Sequence, residues 1–190
     1  MQNESRNTVI DSALMIEFSI SQILGMLLDI STEDSKTLSN KSTSLSLKTK
    51  IDLLTDIRAL DRKEAIKFEN FLQVRNQFVH NSKAKNYESC FSFIDGLGNK
   101  LLKDYPQKDE LTQEEKLEKA FGKLFNDIIK SLKKLYGLTL TKKFQDTEGF
   151  NNSKIIESMH EVCNGLENGE QIIKMIYKRC DDKLNNLDKE

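Results

Sequence analysis

Hydrophobic residues recur at every third or fourth position along most of this chain, which is the period of an α-helix. Sustained alternation of apolar and polar residues, which is typical of a strand, is not found. A first helix is predicted from about Thr8 to Ile30, and its apolar residues occupy more than one face. Such breadth predicts a central helix or a contact between subunits. The sequence therefore predicts an all-α fold.

Three further helices are predicted before Pro106, which should end the last of them. Their predicted bounds are Leu45 to Leu60, Asp61 to His80 and Asn86 to Tyr105. Asp61 and Glu64 have the spacing of a capping box at the start of the third helix. The segment Ser31 to Ser44 is rich in Ser, Thr, Asn and Lys, which predicts a mobile loop.

The chain changes character after Pro106. Thr112 and Glu115 form a second capping-box pattern, and the clearest helical period in the protein follows as far as Leu135, with Gly137 as its expected C-terminal cap. A polar connector over Leu138–Asn152 and a last helix over Ser153–Leu187 complete the pattern. We therefore expect a helical bundle over residues 1–105. Residues 106–190 would add two long helices that pack on the same core or on a partner subunit.

Composition narrows the class of protein. With 190 residues, 37% hydrophobic and 31% charged, the chain is expected to be soluble and globular, and no uninterrupted apolar run suggests a membrane span. The N-terminus lacks the layout of a signal peptide. Cys90, Cys163 and Cys180 are an odd number with no close pair, which predicts free thiols in a reducing cytoplasm. The net charge of −1 gives no overall attraction to nucleic acid.

The strongest candidate for a functional site lies at the end of the third helix. At about 100° per residue, Arg75 falls in the middle of the apolar stripe, where a guanidinium is costly without an acidic partner or a bound anion. Asn76 and His80 are one turn apart at the edge of that stripe. An arginine on an apolar face beside an amide and an imidazole indicates a site.

Glu17 occupies a similar position at the centre of the apolar stripe of the first helix. Two opposite charges on apolar faces are explained most simply if they meet, so Glu17 is expected to pair with Arg75. Two interpretations stay open, a buried structural ion pair and a carboxylate that orients Arg75 toward a phosphate. Arg58 is a competing partner for Glu17.

The stretch Arg75-Asn76-Gln77-Phe78-Val79-His80 resembles the Arg-polar-x-x-x-His signature of the HEPN superfamily of helical nucleases and nucleotide-binding proteins. With leucine before it and Asn81 after it, it is most similar to the mannitol operon repressor branch. The resemblance covers roughly residues 8–105. It implies a helical bundle, usually homodimeric, with the two motif helices facing each other across a cleft.

The resemblance implies two classes of function. One is a regulatory or interaction protein, with transcription regulation as the example, that binds an anion, RNA or a regulatory protein partner. The alternative is a metal-independent endoribonuclease of toxin–antitoxin or defence type. There His80 would move protons, Arg75 would stabilise charge on the phosphoryl oxygens, and Asn76 would orient either His80 or the phosphate. Glu17 and Asn81 would support this site.

Other chemistries have little support in the sequence. His160, beside Glu161 and near Cys163, lacks a second pair of ligands, so neither a metal nor a cofactor is expected. Gly96 and Gly98 lie inside a helical period and do not form a phosphate-binding loop. Lysines along the fifth helix and its exit favour a solvated face over an RNA-binding patch: Lys123, Lys130, Lys133, Lys134, Lys142 and Lys143.

Overall fold

The computed structural model describes residues 4–39, 41 and 43–164, with side chains described as far as residue 146. Every regular element in these ranges is an α-helix, which confirms the all-α prediction. The helices are α1 (Glu4–Leu28), α2 (Leu47–Asp56), α3 (Arg62–His80), α4 (Tyr87–Ser92), α5 (Leu97–Asp104) and α6 (Gln113–Asn164).

The core forms where α1, α2 and α3 pack against one another. Each helix places apolar residues at helical spacing toward the other two, so aliphatic and aromatic side chains interdigitate there. The fully buried members include Ile16 and Ile20 of α1, Leu54 of α2, and Phe68 and Phe71 of α3. Burial of these side chains against water is the main stabilising contribution to the bundle.

The first part of α6 packs on this core. The Phe121 ring stacks on Phe71 of α3 at a centroid distance of 5.3 Å, and it also contacts the Tyr87 ring at 5.6 Å. The chain divides into two compact units, Met1–Leu140 and Thr141–Glu190. Residues 113–140 therefore belong to the same unit as α1 to α5, and how the predicted extension packs as a whole stays a prediction.

Both predicted capping patterns mark the start of a helix. Asp61 accepts a hydrogen bond from the Glu64 amide at 2.9 Å and caps α3. The Glu64 carboxylate accepts hydrogen bonds from Lys67 and Ser131. Before α6, Thr112 and Glu115 form the full reciprocal pair, with the Thr112 amide donating to the Glu115 carboxylate at 2.8 Å and the Glu115 amide donating to Thr112 Oγ1 at 3.3 Å.

Two predicted boundaries are wrong. The predicted helix Asn86–Tyr105 is two helices, because Gly96 adopts a left-handed backbone with φ of +67° and breaks the helical path. The predicted polar connector at Leu138–Asn152 is helical, because α6 continues through Gly137 to Asn164. The predicted last helix is helical over residues 153–164, and its remainder lies outside the described residues.

A non-helical segment connects α1 to α2 and forms one side of the site described below. It starts at Asp29, which ends α1 with a left-handed φ of +54°. Ser35 Oγ accepts hydrogen bonds from the amides of Thr37 and Leu38, and the Leu38 side chain is buried. The Leu45 amide donates to the Thr37 carbonyl at 2.9 Å, so the middle of the segment is joined to its end just before α2 begins.

Helix α1 also meets the length and composition criteria for a membrane span, with a mean hydropathy of 1.4 over its most apolar 18 residues. Half of that window is buried inside the protein. The central helix of a soluble bundle meets the same criteria, so the expectation that the protein has no membrane association stays a prediction.

Candidate functional site

A cavity of about 630 Å³ lies between α1, the α1–α2 connection, the start of α2 and the second half of α3. Its wall contains three cationic side chains, one carboxylate, one carboxamide, three serines and four leucines. These residues are Leu14, Glu17, Ser39, Lys41, Ser44, Leu45, Ser46, Leu47, Lys48, Leu72, Arg75 and Asn76. Of the residues predicted from the sequence, Glu17, Arg75 and Asn76 therefore share one cavity.

Arg75 is incompletely hydrogen-bonded at this wall. Its Nη1 donates to Asn76 Oδ1 at 3.1 Å, while its Nε is buried and has no hydrogen-bond partner. No carboxylate in the described part of the chain forms an ion pair with it. A buried N–H without an acceptor costs free energy, and more when the group is charged. The guanidinium is thus placed to gain from an anion that enters the cavity.

The predicted ion pair between Glu17 and Arg75 is wrong, because Glu17 pairs with Lys50 of α2. Lys50 Nζ donates to Glu17 Oε1 at 2.9 Å, and the Lys50 side chain is 0% exposed whereas that of Glu17 is 29% exposed. The alternative partner Arg58 is exposed beyond the end of α2. A fully buried ammonium needs a carboxylate more than the partly buried Arg75 does, and this explains the pairing.

The start of α2 contributes Ser46, Leu47 and Lys48 to the cavity wall. Ser46 caps the helix by accepting a hydrogen bond from the Thr49 amide at 3.2 Å. The positive end of the helix dipole therefore belongs to the same cavity wall as Arg75. Lys48 is already paired with Asp52 and, at 3.6 Å, with Glu69. The hydrogen bond with Asp52 raises the pKa of Lys48, so Lys48 keeps its positive charge at the rim of the cavity.

His80 and Asn81, both predicted site residues, are not part of the cavity wall. His80 is exposed in the last turn of α3, one turn after Asn76. The Asn81 side chain donates to Gln77 Oε1 and accepts from the Lys83 amide, both at 3.0 Å, so it closes the helix end. Arg6 Nη2 donates to the Val79 carbonyl at 3.2 Å and brings a second guanidinium to this end of α3.

The remaining candidates add no further site. Cys90 is buried, and burial raises its thiol pKa to about 12, so it is unreactive at neutral pH. Among the described residues, no three His, Cys, Asp or Glu side chains are grouped to hold a metal ion. The six lysines of α6 that were named from the sequence are exposed. The side chains of His160 and Cys163, and all of Cys180, lie outside what the structure describes.

Sequence reasoning missed Lys50, although the signal was present. Lys50 lies between Leu47, Ile51 and Leu54 at helical spacing, in the middle of the apolar stripe of α2. The criterion that identified Arg75 and Glu17 also identifies Lys50. Lys41 and Lys48 carried no such signal, because lysines in a polar loop or at a helix start are ordinarily solvated.

Comparisons of the chain with models of known protein families, with curated proteins and with solved structures found no match in any of the three. The family resemblance therefore depends on the motif and the order of the helices alone.

Proposed function

We propose that this protein is a helical regulatory or interaction module that binds a phosphate-bearing anion in the cavity beside Arg75. In this proposal it is HEPN-like and most similar to the mannitol operon repressor branch. The observation that carries the proposal is the Arg75 guanidinium, which lines the cavity and has no carboxylate partner among the described residues. An arginine in this position is suited to a phosphate, because its planar fork matches two phosphate oxygens.

The charges of the cavity wall support an anionic ligand. Among the described residues of the wall, Lys41 and Arg75 are cationic without a carboxylate partner, Lys48 is cationic but paired with Asp52 and Glu69, and Glu17 is the one carboxylate. Glu17 is already paired with Lys50, so its negative charge is partly neutralised and repels a bound anion less. Asn76 can turn its amide toward the ligand, and the first amides of α2 add donors that favour negative charge.

Phosphate-dependent stabilisation of the full chain tests this proposal. A ligand that binds only the folded state raises its stability by RT ln(1 + [L]/Kd), so inorganic phosphate should raise the melting temperature at constant ionic strength. Arg75→Gln should abolish that rise and keep a cooperative melt. Arg62→Gln, an exposed change at the start of the same helix, is the matched control and should behave like the wild type. An equal phosphate effect in Arg75→Gln would contradict the proposal.

A homodimer is part of the proposal. Leu14, Met15 and Phe18 form an exposed apolar patch on α1, with 61%, 54% and 57% of each residue exposed. Leu14 also lines the cavity, so a second subunit on the patch would cover the cavity's rim. RNA or a regulatory protein is the further partner expected of such a module, and the cytoplasm is its expected location.

The alternative function is a metal-independent endoribonuclease that uses Arg75, Asn76 and His80. It is favoured by the exposure of His80 one turn after Asn76, because an exposed imidazole can exchange protons with a substrate near neutral pH. RNA cleavage that survives EDTA, and that falls by about 10²-fold or more in His80→Ala, would favour this function. The absence of cleavage by the wild type, with or without added metal, would leave the binding function.

A further inference from the structure

The cavity wall contains a carboxylate as well as the guanidinium of Arg75. Glu17 belongs to its wall, and only one of its carboxylate oxygens is used: Oε1 accepts the hydrogen bond from Lys50. No group in the described part of the chain donates to Oε2. The carboxylate is held in place by a fully buried lysine, so a residue that lines the cavity has a fixed hydrogen-bond acceptor.

Glu17 and Arg75 share the cavity without forming an ion pair with each other. If they did, the pair would satisfy both groups and leave little for a ligand to gain. Because Lys50 neutralises the charge of Glu17, the free oxygen is better suited to a neutral hydroxyl donor than to a second cation. The wall therefore offers an anion-binding group and a separate hydroxyl-binding group.

Apart from Lys41, Lys48 and Asn76, the rest of the wall is apolar or carries hydroxyl groups. A short carbon skeleton can contact the four leucines of the wall, Leu14, Leu45, Leu47 and Leu72. Two of the wall serines already form a hydrogen bond with each other, with 3.2 Å between the hydroxyl oxygens of Ser39 and Ser44. A volume of about 630 Å³ is within the range of sites that enclose small molecules. Inorganic phosphate alone would leave most of that volume and Glu17 unused.

We propose that the ligand of this cavity is a small hydroxylated organic phosphate. Its phosphate binds Arg75 and Asn76, a hydroxyl group donates to Glu17 Oε2, and its carbon skeleton contacts the leucines. Lys50 acts as a positioning residue that holds Glu17. This ligand class depends on the proposed anion-binding function and specifies it further.

Three probes distinguish phosphate recognition by Arg75 from hydroxyl recognition by Glu17. They are methyl phosphate, sn-glycerol 3-phosphate and glycerol. Titration calorimetry on the full chain should show sn-glycerol 3-phosphate binding about tenfold more tightly than methyl phosphate, which is the size expected for one hydrogen bond to a charged acceptor. Glycerol alone should not bind measurably, because it lacks the group that Arg75 recognises.

Variants assign that preference to Glu17. The double change Glu17→Gln with Lys50→Met removes both charges of the pair and leaves no ammonium stranded in the core. It should bring the two phosphate esters within about twofold of each other and keep methyl phosphate binding. Asp11→Asn, an exposed change on the same helix, is the matched control and should keep the tenfold preference. If the double variant does not melt cooperatively, Glu17→Asp is used, since it keeps a carboxylate but withdraws it from the cavity, and the preference should again fall.

The outcomes separate this inference from the proposed function. Equal affinity for both esters in the wild type, or an unchanged preference in the Glu17 variants, would overturn the ligand class and leave anion binding intact. Failure of both esters to bind would overturn the anion site and the ligand class together. A tenfold preference that disappears with Glu17 and total loss of binding in Arg75→Gln would support both.

Discussion

At the residue scale, the bundle contains two cationic side chains, Lys50 and Arg75, that differ in burial and in hydrogen-bond partner. Lys50 is fully buried and has a carboxylate partner at 2.9 Å. Arg75 is partly buried, and a carboxamide is its only hydrogen-bond partner among the described residues. Because an uncompensated buried charge is costly, the first arrangement compensates its charge within the fold, and the second leaves the guanidinium that we propose binds an anion.

The buried pair gives the first prediction at this scale. Glu17→Leu should lower the free energy of unfolding by about 3 kcal/mol or more, because it strands the Lys50 ammonium in the core. Adding Lys50→Met should restore most of that loss, since the apolar pair leaves no charge to compensate. Urea denaturation of the wild type, the single variant and the double variant measures both effects. A single variant as stable as the wild type would show that the pair does not compensate a buried charge.

The same residues show how far a site can be predicted from sequence. A charge in the middle of an apolar stripe is visible in the helical period, and this criterion correctly placed Glu17 and Arg75 in one region. It did not predict which charges would meet, because partner choice depends on how deeply each side chain is buried after the helices pack. Burial favoured Lys50 over Arg75 as the partner of Glu17.

At the scale of elements, α4 depends on a partner from elsewhere in the chain. It has six residues, too few for an isolated helix to be stable. Glu114 of α6 accepts hydrogen bonds from the Tyr87 amide at 2.8 Å and the Glu88 amide at 2.6 Å, at the N-terminus of α4. The carboxylate satisfies two amides that would otherwise lack partners and complements the helix dipole.

The second prediction follows from this contact. Glu114→Ala should destabilise the protein by about 1–2 kcal/mol, the usual cost of losing a helix cap with charge-assisted hydrogen bonds. Glu118→Ala, an exposed change one turn later on α6, should change stability by less than about 0.5 kcal/mol. Thermal or chemical denaturation compares the two variants. Equal effects would show that the contact with α4 does not contribute.

The starts of α3 and α6 were predictable from their capping patterns, whereas helix interruptions were not. Asp61 and Thr112 are caps that depend on residues three positions away, so the local sequence contains the whole signal. The helical path breaks at Gly96, whereas α6 continues through Gly137, so glycine occurs with both outcomes. Glycine permits both conformations, and the packing of the surrounding helices determines which one forms.

At the scale of the whole molecule, the fold leaves an apolar patch of α1 exposed to solvent. The patch consists of Leu14, Met15 and Phe18. The sequence showed that apolar residues surround this helix, but only the packed helices show which of them are covered. Contiguous exposed apolar residues on one helix are typical of interaction surfaces. Burying a few hundred Å² of such surface in each subunit would contribute several kcal/mol at about 25 cal/mol per Å².

A homodimer that uses this patch is the last prediction. Sedimentation at tens of micromolar should give the mass of a dimer for the wild type, and Phe18→Ser should shift it to a monomer. Because Phe18 is 57% exposed in a single chain, its replacement should cost the folded monomer little, so both proteins should keep a cooperative melt. Phe93→Ser is the matched control, since Phe93 is a 43% exposed phenylalanine beyond the end of α4 and should leave the dimer intact. A monomeric wild type would rule out the dimer. A Phe18→Ser variant that stays dimeric would place the interface on another surface, and the cavity would then keep an open rim at Leu14.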